Sequence, residues 1–459
     1  MKFDFLPLSL FCIAMLFSNY TYGQSVDEHN NADTPNFLRN APGNNLTSQK
    51  RAKHLQNIKV LTMNGSMSTD TPSDSAAELI NQFYIDQFRH YNDPEAPYFM
   101  LMSRDANLAL GVGGTISADA WFDWNGSIPD FGFKIYDIQV PNNYEHKRKL
   151  AATMANSGLF FTLLGRNGLL GRYKAFIAMK FSGYPDSKFE IDKAYFMFRN
   201  LTVGRSTSTF ADPMALPPST DDAGTNGNLN RTNILVRYMK TTKNKHWTYA
   251  GGLEFPNQEL NCNDSLTRED TPYIPDAAAF IQYQWDNGES HVRLCGLARM
   301  LTYRNLVDQT NEKVFGWGAQ ISTVWNISFP ITVYAVLSYG KGDSSYLNDL
   351  SGKKYDLVAE NDNPGHLYAP EAFAGICALK YNFKPNIYSD IALSGVRYFA
   401  RGKQSPDEYK YGLYCSVNTI WEITTRLTLG IEYLHGQRGN YNGEHGTANR
   451  VNMLFRLHF

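Results

Sequence analysis

Basic side chains recur at every second position in several apolar segments of this 459-residue chain. In one segment, Arg172 and Lys174 alternate with Tyr173 and Ala175. Because successive side chains of a β-strand point to opposite faces, this spacing collects the cations on one face of a sheet. A row of cations concentrates and orients anions electrostatically. The basic residues predicted to lie on the inner face are Arg172, Lys174, Lys193, Arg199, Arg205, Arg231, Arg237, Arg293 and Arg299.

Catalytic chemistry is not indicated. The sequence contains no GxSxG or HExxH motif, and no cluster of His and Cys has the spacing of metal ligands. His291, His435, His445 and His458 do not stand at a spacing that suggests a triad with a particular serine. We therefore predict no enzymatic activity, no catalytic residue, no cofactor and no bound metal. A net charge of −1 also argues against a polybasic nucleic-acid binder.

The elements that would position these cations are β-strands. In the last ten residues, RVNMLFRLHF, the apolar Val451, Met453 and Phe455 alternate with polar residues such as Arg450 and Arg456. Strict alternation predicts a strand with one apolar and one polar face. Sixteen such strands are predicted between about residue 106 and residue 459. An even number is usual for a single-chain bacterial membrane barrel, which also explains the 28 Tyr and 28 Phe as interfacial belts.

Short and long connections alternate between these strands. Short turns are predicted near 167–168, 241–245 and 326–329. Long connections are predicted at 125–156, 207–229, 256–276, 302–312, 341–369, 401–409 and 436–448, with a shorter one at 183–187. A soluble sandwich has no reason to keep this order, whereas membrane barrels have short periplasmic turns and long external loops. The fold class predicted is all-β: a transmembrane antiparallel β-barrel of about 16 strands, with a short N-terminal helix.

The N-terminal quarter is predicted to be organised differently. Residues 1–23 carry Lys2, a short apolar run and a small residue before Gln24, which predicts a secretory signal peptide. Residues 24–74 are polar and predict a disordered leader. Residues 75–100 predict a short amphipathic helix, over 75–90, followed by a linker; the helix would be periplasmic or packed at the barrel mouth. Residues 101–459 form the barrel. The predicted location is the outer membrane of a Gram-negative bacterium, in contact with its lipid.

The connection at 207–229 is the strongest local candidate for selectivity. Its residues, TSTFADPMALPPSTDDAGTNGNL, are rich in Pro, Gly and Asp. A loop of this length could fold into the lumen and oppose the basic wall, and the alternative is an ordinary external loop. The predicted constriction residues are Phe210, Asp212, Pro213, Asp221 and Asp222.

The stretch 203–238 resembles the DcaP-like trimeric porins, and the chain is more distantly similar to phosphate-selective porins. The family pattern is GQ-x-x-S-x-F-x-D-P-x-x-x-P followed by Asn-Gly and a spaced Arg…Arg-Tyr. The matching residues are Gly204, Ser208, Phe210, Asp212, Pro213, Pro217, Asn226, Gly227, Arg231, Arg237 and Tyr238. Here Arg205 stands where the family has Gln, Thr207 where Trp is common, and Pro218 where an acid is usual.

The resemblance implies a sixteen-stranded homotrimeric channel for small anionic solutes, dicarboxylate-like or phosphate-like. The residues independently predict a basic lumen, with Asp119, Asp123, Glu254 and Glu432 as the main inward acids. The alternative function is a barrel with a plugged lumen that serves as an adhesin or structural protein. A transporter for hydrophobic substrates is disfavoured, because its lumen would need an apolar track.

Overall fold

The computed structural model describes residues 59–62, 99–103, 107–181, 188–262, 265–360, 362–401, 405 and 407–459. The predicted signal peptide at 1–23 and helix at 75–90 lie outside these residues. Within the predicted leader only Lys59–Thr62 is described; it forms a strand that pairs in parallel with Phe99–Met102. No helix in the described part of the chain has the length and apolar character needed to cross a bilayer.

Sixteen strands form the barrel. They are β1 (Leu108–Asn125), β2 (Gly158–Asn167), β3 (Gly171–Phe181), β4 (Phe189–Phe198), β5 (Leu201–Thr207), β6 (Thr232–Thr241), β7 (Trp247–Glu254), β8 (Asp276–Trp285), β9 (Ser290–Asn305), β10 (Thr310–Ser328), β11 (Ile331–Lys341), β12 (Glu371–Lys384), β13 (Ile387–Phe399), β14 (Tyr409–Glu422), β15 (Leu427–Asn440) and β16 (His445–His458).

Each barrel strand pairs antiparallel with the next, and β16 pairs with β1 over residues 115–125, which closes the sheet. The predicted fold class and strand number are confirmed. Shorter strands lie at Lys149–Thr153, Leu260–Asn261, Thr267–Glu269, Leu357–Ala359 and Leu367–Tyr368. Single 3-10 turns lie at Ile135–Asp137, Tyr144–His146, Pro213–Ala215, Asp286–Gly288 and Ser344–Tyr346.

The strand faces follow the alternation of the sequence. On β6, Ile234 and Val236 are 58% and 47% exposed on the outside, whereas Arg237 is 1% exposed on the inside. Aromatic rings cluster near both strand ends: Trp247 packs on Tyr283 at the short-turn end, and Trp124 stacks on Tyr433 at the long-loop end. Such belts mark the two interfaces of a membrane-embedded barrel.

Two of the predicted long loops are instead strand hairpins. β9 and β10 continue to a four-residue connection at 306–309, and β15 and β16 continue to one at 441–444. The outer-face residues of these strand ends are polar, as at Arg304 and Asn311, so no apolar alternation marks them in the sequence. Backbone pairing continues beyond the apolar band. The outer-face residues contact water there and need not be apolar.

Other long connections pack inside the barrel. Segments 126–148, 208–231 and 342–370 supply buried residues that contact one another and the inner strand faces. One apolar cluster contains Phe210, Tyr346, Tyr355 and Leu350 from the segments together with Phe280 of β8. The interior core is therefore formed jointly by the connections and the inner faces of the strands.

Candidate functional site

The connection between β5 and β6, residues 208–231, runs along the inner wall of the barrel; we call it the lumen segment. Its first attachment is Asp212. One carboxylate oxygen of Asp212 lies 2.9 Å from Nε2 of His291 on β9 and accepts from the Ser322 hydroxyl on β10 at 2.6 Å. The other oxygen lies 3.4 Å from the Arg293 guanidinium. This set of charged and polar partners fixes the start of the segment to β9 and β10.

A second attachment reverses the roles, because here the carboxylate belongs to the wall. Glu432 of β15 accepts from the backbone N–H of Thr220 at 2.5 Å and from its hydroxyl at 2.8 Å. It also accepts from the Ser219 hydroxyl at 2.8 Å and from the Asp221 N–H at 3.2 Å. Four donors from three consecutive residues converge on one carboxylate, so the segment is held at this point by charge-assisted hydrogen bonds.

The segment returns past β13 and the 342–370 connection. Ser394 of β13 donates to the Asn226 side chain at 2.7 Å and accepts from the Gly227 N–H at 2.9 Å. Leu229 then forms an antiparallel bridge with Leu347. From Asp212 to Asn226 the segment contacts β9, β10, β13 and β15, all on one side of the barrel. In a closed barrel of sixteen strands the facing side is made by the strands around β5.

Arg299 joins two further connections. Its guanidinium pairs with Asp276 of β8 at 3.4 Å and with Asp356 at 3.2 Å, and it donates to the Asn257 carbonyl at 2.8 Å. Arg231 donates to the same carbonyl at 3.1 Å. Both guanidinium groups lie over the Tyr346 ring, 5.0 Å (Arg231) and 5.2 Å (Arg299) from its centroid. Arg299 therefore braces loops, as a buried cation with two carboxylate partners does.

The predicted basic residues fall into two groups. Lys174, Lys193, Arg231, Arg237, Arg293 and Arg299 are buried on the inner side. Lys174 lies 5.3 Å from the Phe176 ring and 5.7 Å from the Tyr195 ring, and Arg237 donates to the Thr207 carbonyl. Lys174 and Arg237 belong to one cross-strand row, joined through residues of β4 and β5.

Of the remaining three, Arg205 and Arg199 require correction. Arg205 lies on the outer face of β5, because it pairs with the outward Ala194 and Ile234, and directly paired residues share a face. Arg199 lies in the turn between β4 and β5 with φ 52°, and its guanidinium donates to the Leu169 carbonyl. Arg172 lies on the same face as Lys174 but is exposed at the strand end.

The predicted constriction residues differ in their burial and in what they contact. Phe210 is fully buried and packs edge-on against Tyr346 at 5.8 Å. Pro213 is buried at the start of a single 3-10 turn, and Asp212 holds the wall as described. Asp221 accepts from the Phe133 N–H at 2.9 Å, whereas Asp222 is exposed.

The predicted excess of inward cations is not present among the buried strand residues. Buried inward acids are as numerous as buried inward bases: Asp119, Asp123, Glu254, Asp276, Asp390 and Glu432 against Lys174, Lys193, Arg237, Arg293, Arg299 and Arg450. The sequence reading missed Asp276 and Asp390, and also the loop acids Asp343, Asp349 and Asp356. The charges are instead separated by position. Lys174, Lys193 and Arg237 lie on β3, β4 and β6, whereas the buried inward acids lie on other strands.

Glycines at inner-face positions gave a signal that the sequence reading did not use. A Cβ at Gly430 of β15 would lie 2.7 Å from the Thr220 side chain of the lumen segment. A Cβ at Gly318 of β10 would lie 2.8 Å from the Phe210 ring. Glycine inside a strand permits close approach of another chain segment. These glycines therefore mark where the segment contacts the wall.

The electrostatic surroundings differ along the lumen segment. Burial alone would raise the pKa of Asp212, but Arg293 and His291 outweigh it and hold that pKa below its usual range. Burial raises the pKa of Asp221 to about 7, and the nearby Glu432 adds to the rise. Burial likewise raises the pKa of Asp343, in the 342–370 connection, to about 7, with Asp356 adding to it. No group of His, Cys, Asp and Glu suited to a metal ion occurs within the described ranges.

A closed sixteen-stranded antiparallel barrel with apolar outside, aromatic belts and connections folded inward defines a porin-type outer-membrane protein. The sequence model of the DcaP outer membrane protein family matches residues 102–459. The chain belongs to the DcaP outer membrane protein family, and its location is the outer membrane.

Solved structures with a similar fold include the outer membrane channel DcaP of Acinetobacter baumannii. It has a TM-score of 0.66 and 21% identity, and the match covers 78% of this chain and 99% of that chain. The trimer form of OmpT from Vibrio cholerae gives 0.49 at 10% identity, covering 77% and 100%. OmpF of Salmonella typhi gives 0.48 at 10% identity, covering 78% and 99%. A search of curated proteins found no match.

Proposed function

We propose that this protein is a porin through which small anionic solutes, dicarboxylate-like or phosphate-like, diffuse across the outer membrane. One observation carries the proposal. Lys174 and Lys193 lie on the inner faces of β3 and β4, strands that by their order face the β9–β15 wall, and Arg237 of β6 continues the cross-strand row of Lys174. Solute would pass between the segment and this basic wall, and no catalytic step is assigned.

The separation of charge by position supports an anion path despite equal numbers of buried acids and bases. Glu254 and Glu432 accept hydrogen bonds from the lumen segment, at Thr209 and Thr220. Asp123 and Asp276 form ion pairs with Arg450 and Arg299. These four carboxylates lie on β1, β7, β8 and β15, whereas the cations of the basic wall lie on β3, β4 and β6, where the low-dielectric barrel focuses their field and attracts anions.

Ion selectivity tests the proposal directly. In planar bilayers under a salt gradient, the wild-type reversal potential should show anion preference. Replacing Lys193→Gln and Arg237→Gln should lower the anion-to-cation permeability ratio by roughly threefold. The matched control is Arg199→Asn with Arg205→Gln, which removes the same charge from a turn and from the outer face, and it should leave the ratio unchanged. Equal effects of both pairs would refute the assignment.

A plugged barrel is the second candidate, and a specific observation favours it. The three inward connections pack on one another through aromatic rings: Tyr136 lies 5.9 Å from Tyr355, and Phe210 lies 5.8 Å from Tyr346. Such a barrel would display its external loops as an adhesin or structural protein. Absence of any single-channel conductance from protein shown to be inserted would support it and reject the porin.

We also propose a homotrimer, as the resemblance to trimeric porins implies. Chemical cross-linking in native membranes and the mass of the detergent-purified particle test it. A particle with one copy only would reject it.

A further inference from the structure

One run of basic residues lies in a long connection, at the external end of the barrel. In the connection between β1 and β2, His146, Lys147, Arg148 and Lys149 follow one another, and the last three are exposed. Glu145 is the carboxylate adjacent in sequence. Within the described ranges, none of these three cations forms an ion pair.

The surroundings of this run are apolar on the membrane side. The short strand Lys149–Thr153 pairs with β1 and sets Leu150 opposite Phe122. Leu150 is 77% exposed and Phe122 is 39% exposed. Two residues beyond Phe122 on the same face, Trp124 stacks on Tyr433 at 5.6 Å in the aromatic belt of the long-loop end. The cations therefore begin where the outer apolar surface ends.

The geometry points to a binding site for the phosphate groups of a lipid of the outer leaflet, formed by Lys147 and Arg148. Lys149 is left out of the site, because it pairs with the inward Asp123 and so lies on the face opposite Leu150. Amine and guanidinium groups form charge-assisted hydrogen bonds with phosphate oxygens. Basic clusters at the level of the headgroups attract anionic lipids. This inference does not depend on the channel proposal.

The neighbouring apolar surface favours a lipid over free phosphate as the occupant. A phosphate ion would use only the cations, whereas a lipid also covers Leu150, Phe122 and the 56%-exposed Met154 with its acyl chains. Tyr144, 79% exposed beside the run, has the amphipathic ring that is enriched at membrane interfaces.

Binding of bisphosphorylated lipid A to the full-length protein in neutral detergent tests the site. The variant carries Lys147→Gln and Arg148→Asn; asparagine is used because Arg148 has φ 58°, a backbone region that asparagine tolerates. The matched control carries Lys243→Gln and Lys245→Asn near the opposite rim, where Lys245 has φ 60°. Resistance of the folded barrel to detergent before heating verifies that both variants fold.

We expect the site variant to bind the lipid at least about tenfold more weakly than the wild type, and the control to bind like the wild type. Lipid A with both phosphates removed should bind the wild type as weakly as bisphosphorylated lipid A binds the site variant. Equal binding by the site variant and the control would overturn the inference. Wild-type affinity for inorganic phosphate as strong as for the lipid would overturn the choice of a lipid.

Discussion

Glu432 is the single residue on which the seating of the lumen segment depends most directly, since its carboxylate receives donors from three consecutive residues of that segment. Glutamine keeps the shape but replaces one acceptor oxygen with a donor that faces other donors. We expect Glu432→Gln to lower the free energy of unfolding by about 1–3 kcal/mol and to make the open-channel current fluctuate more.

Glu444→Gln is the control for this change, because Glu444 is exposed in the short external connection at 441–444. Urea unfolding in detergent and single-channel recording measure the two effects. Identical traces and midpoints for both variants would show that Glu432 does not hold the segment.

The sequence predicted which face of a strand many side chains occupy, but it could not predict which partners those side chains contact. Alternation placed Arg293 and Arg299 inside, yet their carboxylate partners, Asp212 and Asp356, lie in connections far away in the chain. Which loop acid meets which wall cation depends on how three loops pack together. The outward direction of Arg205 was readable, because it continues the parity of the outward Val203.

At the scale of elements, strand positions were predictable because both faces of each strand are constrained at once. Lipid outside demands apolar residues at every second position, and the turns between short-connected strands are only a few residues long. The strand predicted from the alternation in RVNMLFRLHF is observed, since all but the last of these ten residues lie in β16 (His445–His458). The sequences of the connections show no alternation of apolar and polar residues. Their packing inside the barrel could therefore not be predicted and is known only from the structure.

The seating of the lumen segment should depend on pH through Asp221. Burial raises the pKa of Asp221 to about 7 in the folded protein, well above its usual value. The seated segment therefore holds a proton that the released segment loses. Its stabilisation is full below about pH 4 and declines as pH rises through 7.

We expect current fluctuations to increase between pH 5 and pH 8, and Asp221→Asn to remove much of this pH dependence. Noise analysis of single-channel recordings in buffers of equal ionic strength measures it. Asp362→Asn, a change at an exposed loop position, serves as the control. A profile that Asp221→Asn leaves intact would assign the pH dependence to another group.

At the scale of the whole molecule, closure of the barrel depends on the contact between β16 and β1. Arg450 of β16 donates to both oxygens of Asp123 on β1, at 2.6 and 3.1 Å, and to the Phe131 carbonyl at 2.7 Å. Both side chains are buried. This cluster joins the closing strands to the 126–148 connection inside.

Removal of one partner leaves a buried charge uncompensated. We expect Arg450→Leu to lower the free energy of unfolding by about 3–5 kcal/mol, and the double change with Asp123→Leu to recover part of the loss. Arg304→Gln breaks an exposed pair with Asp270, where the arginine side chain is 52% exposed, and should cost less than about 1 kcal/mol. Equal losses for Arg450→Leu and Arg304→Gln in denaturant titrations would contradict this ranking.

The hairpin of β9 and β10 gives the rim an uneven height. Sixteen residues of β9, tilted in the sheet, reach on the order of 40 Å, against roughly 25 Å for the apolar band of such barrels. β5, with seven residues, ends far lower. Antibodies, phage and surface proteases approaching the cell therefore meet the tip at 306–309 well above the end of β5. An epitope tag inserted after Asp308 should be detectable on intact cells, which makes this tip a natural attachment point for imaging the protein in living bacteria.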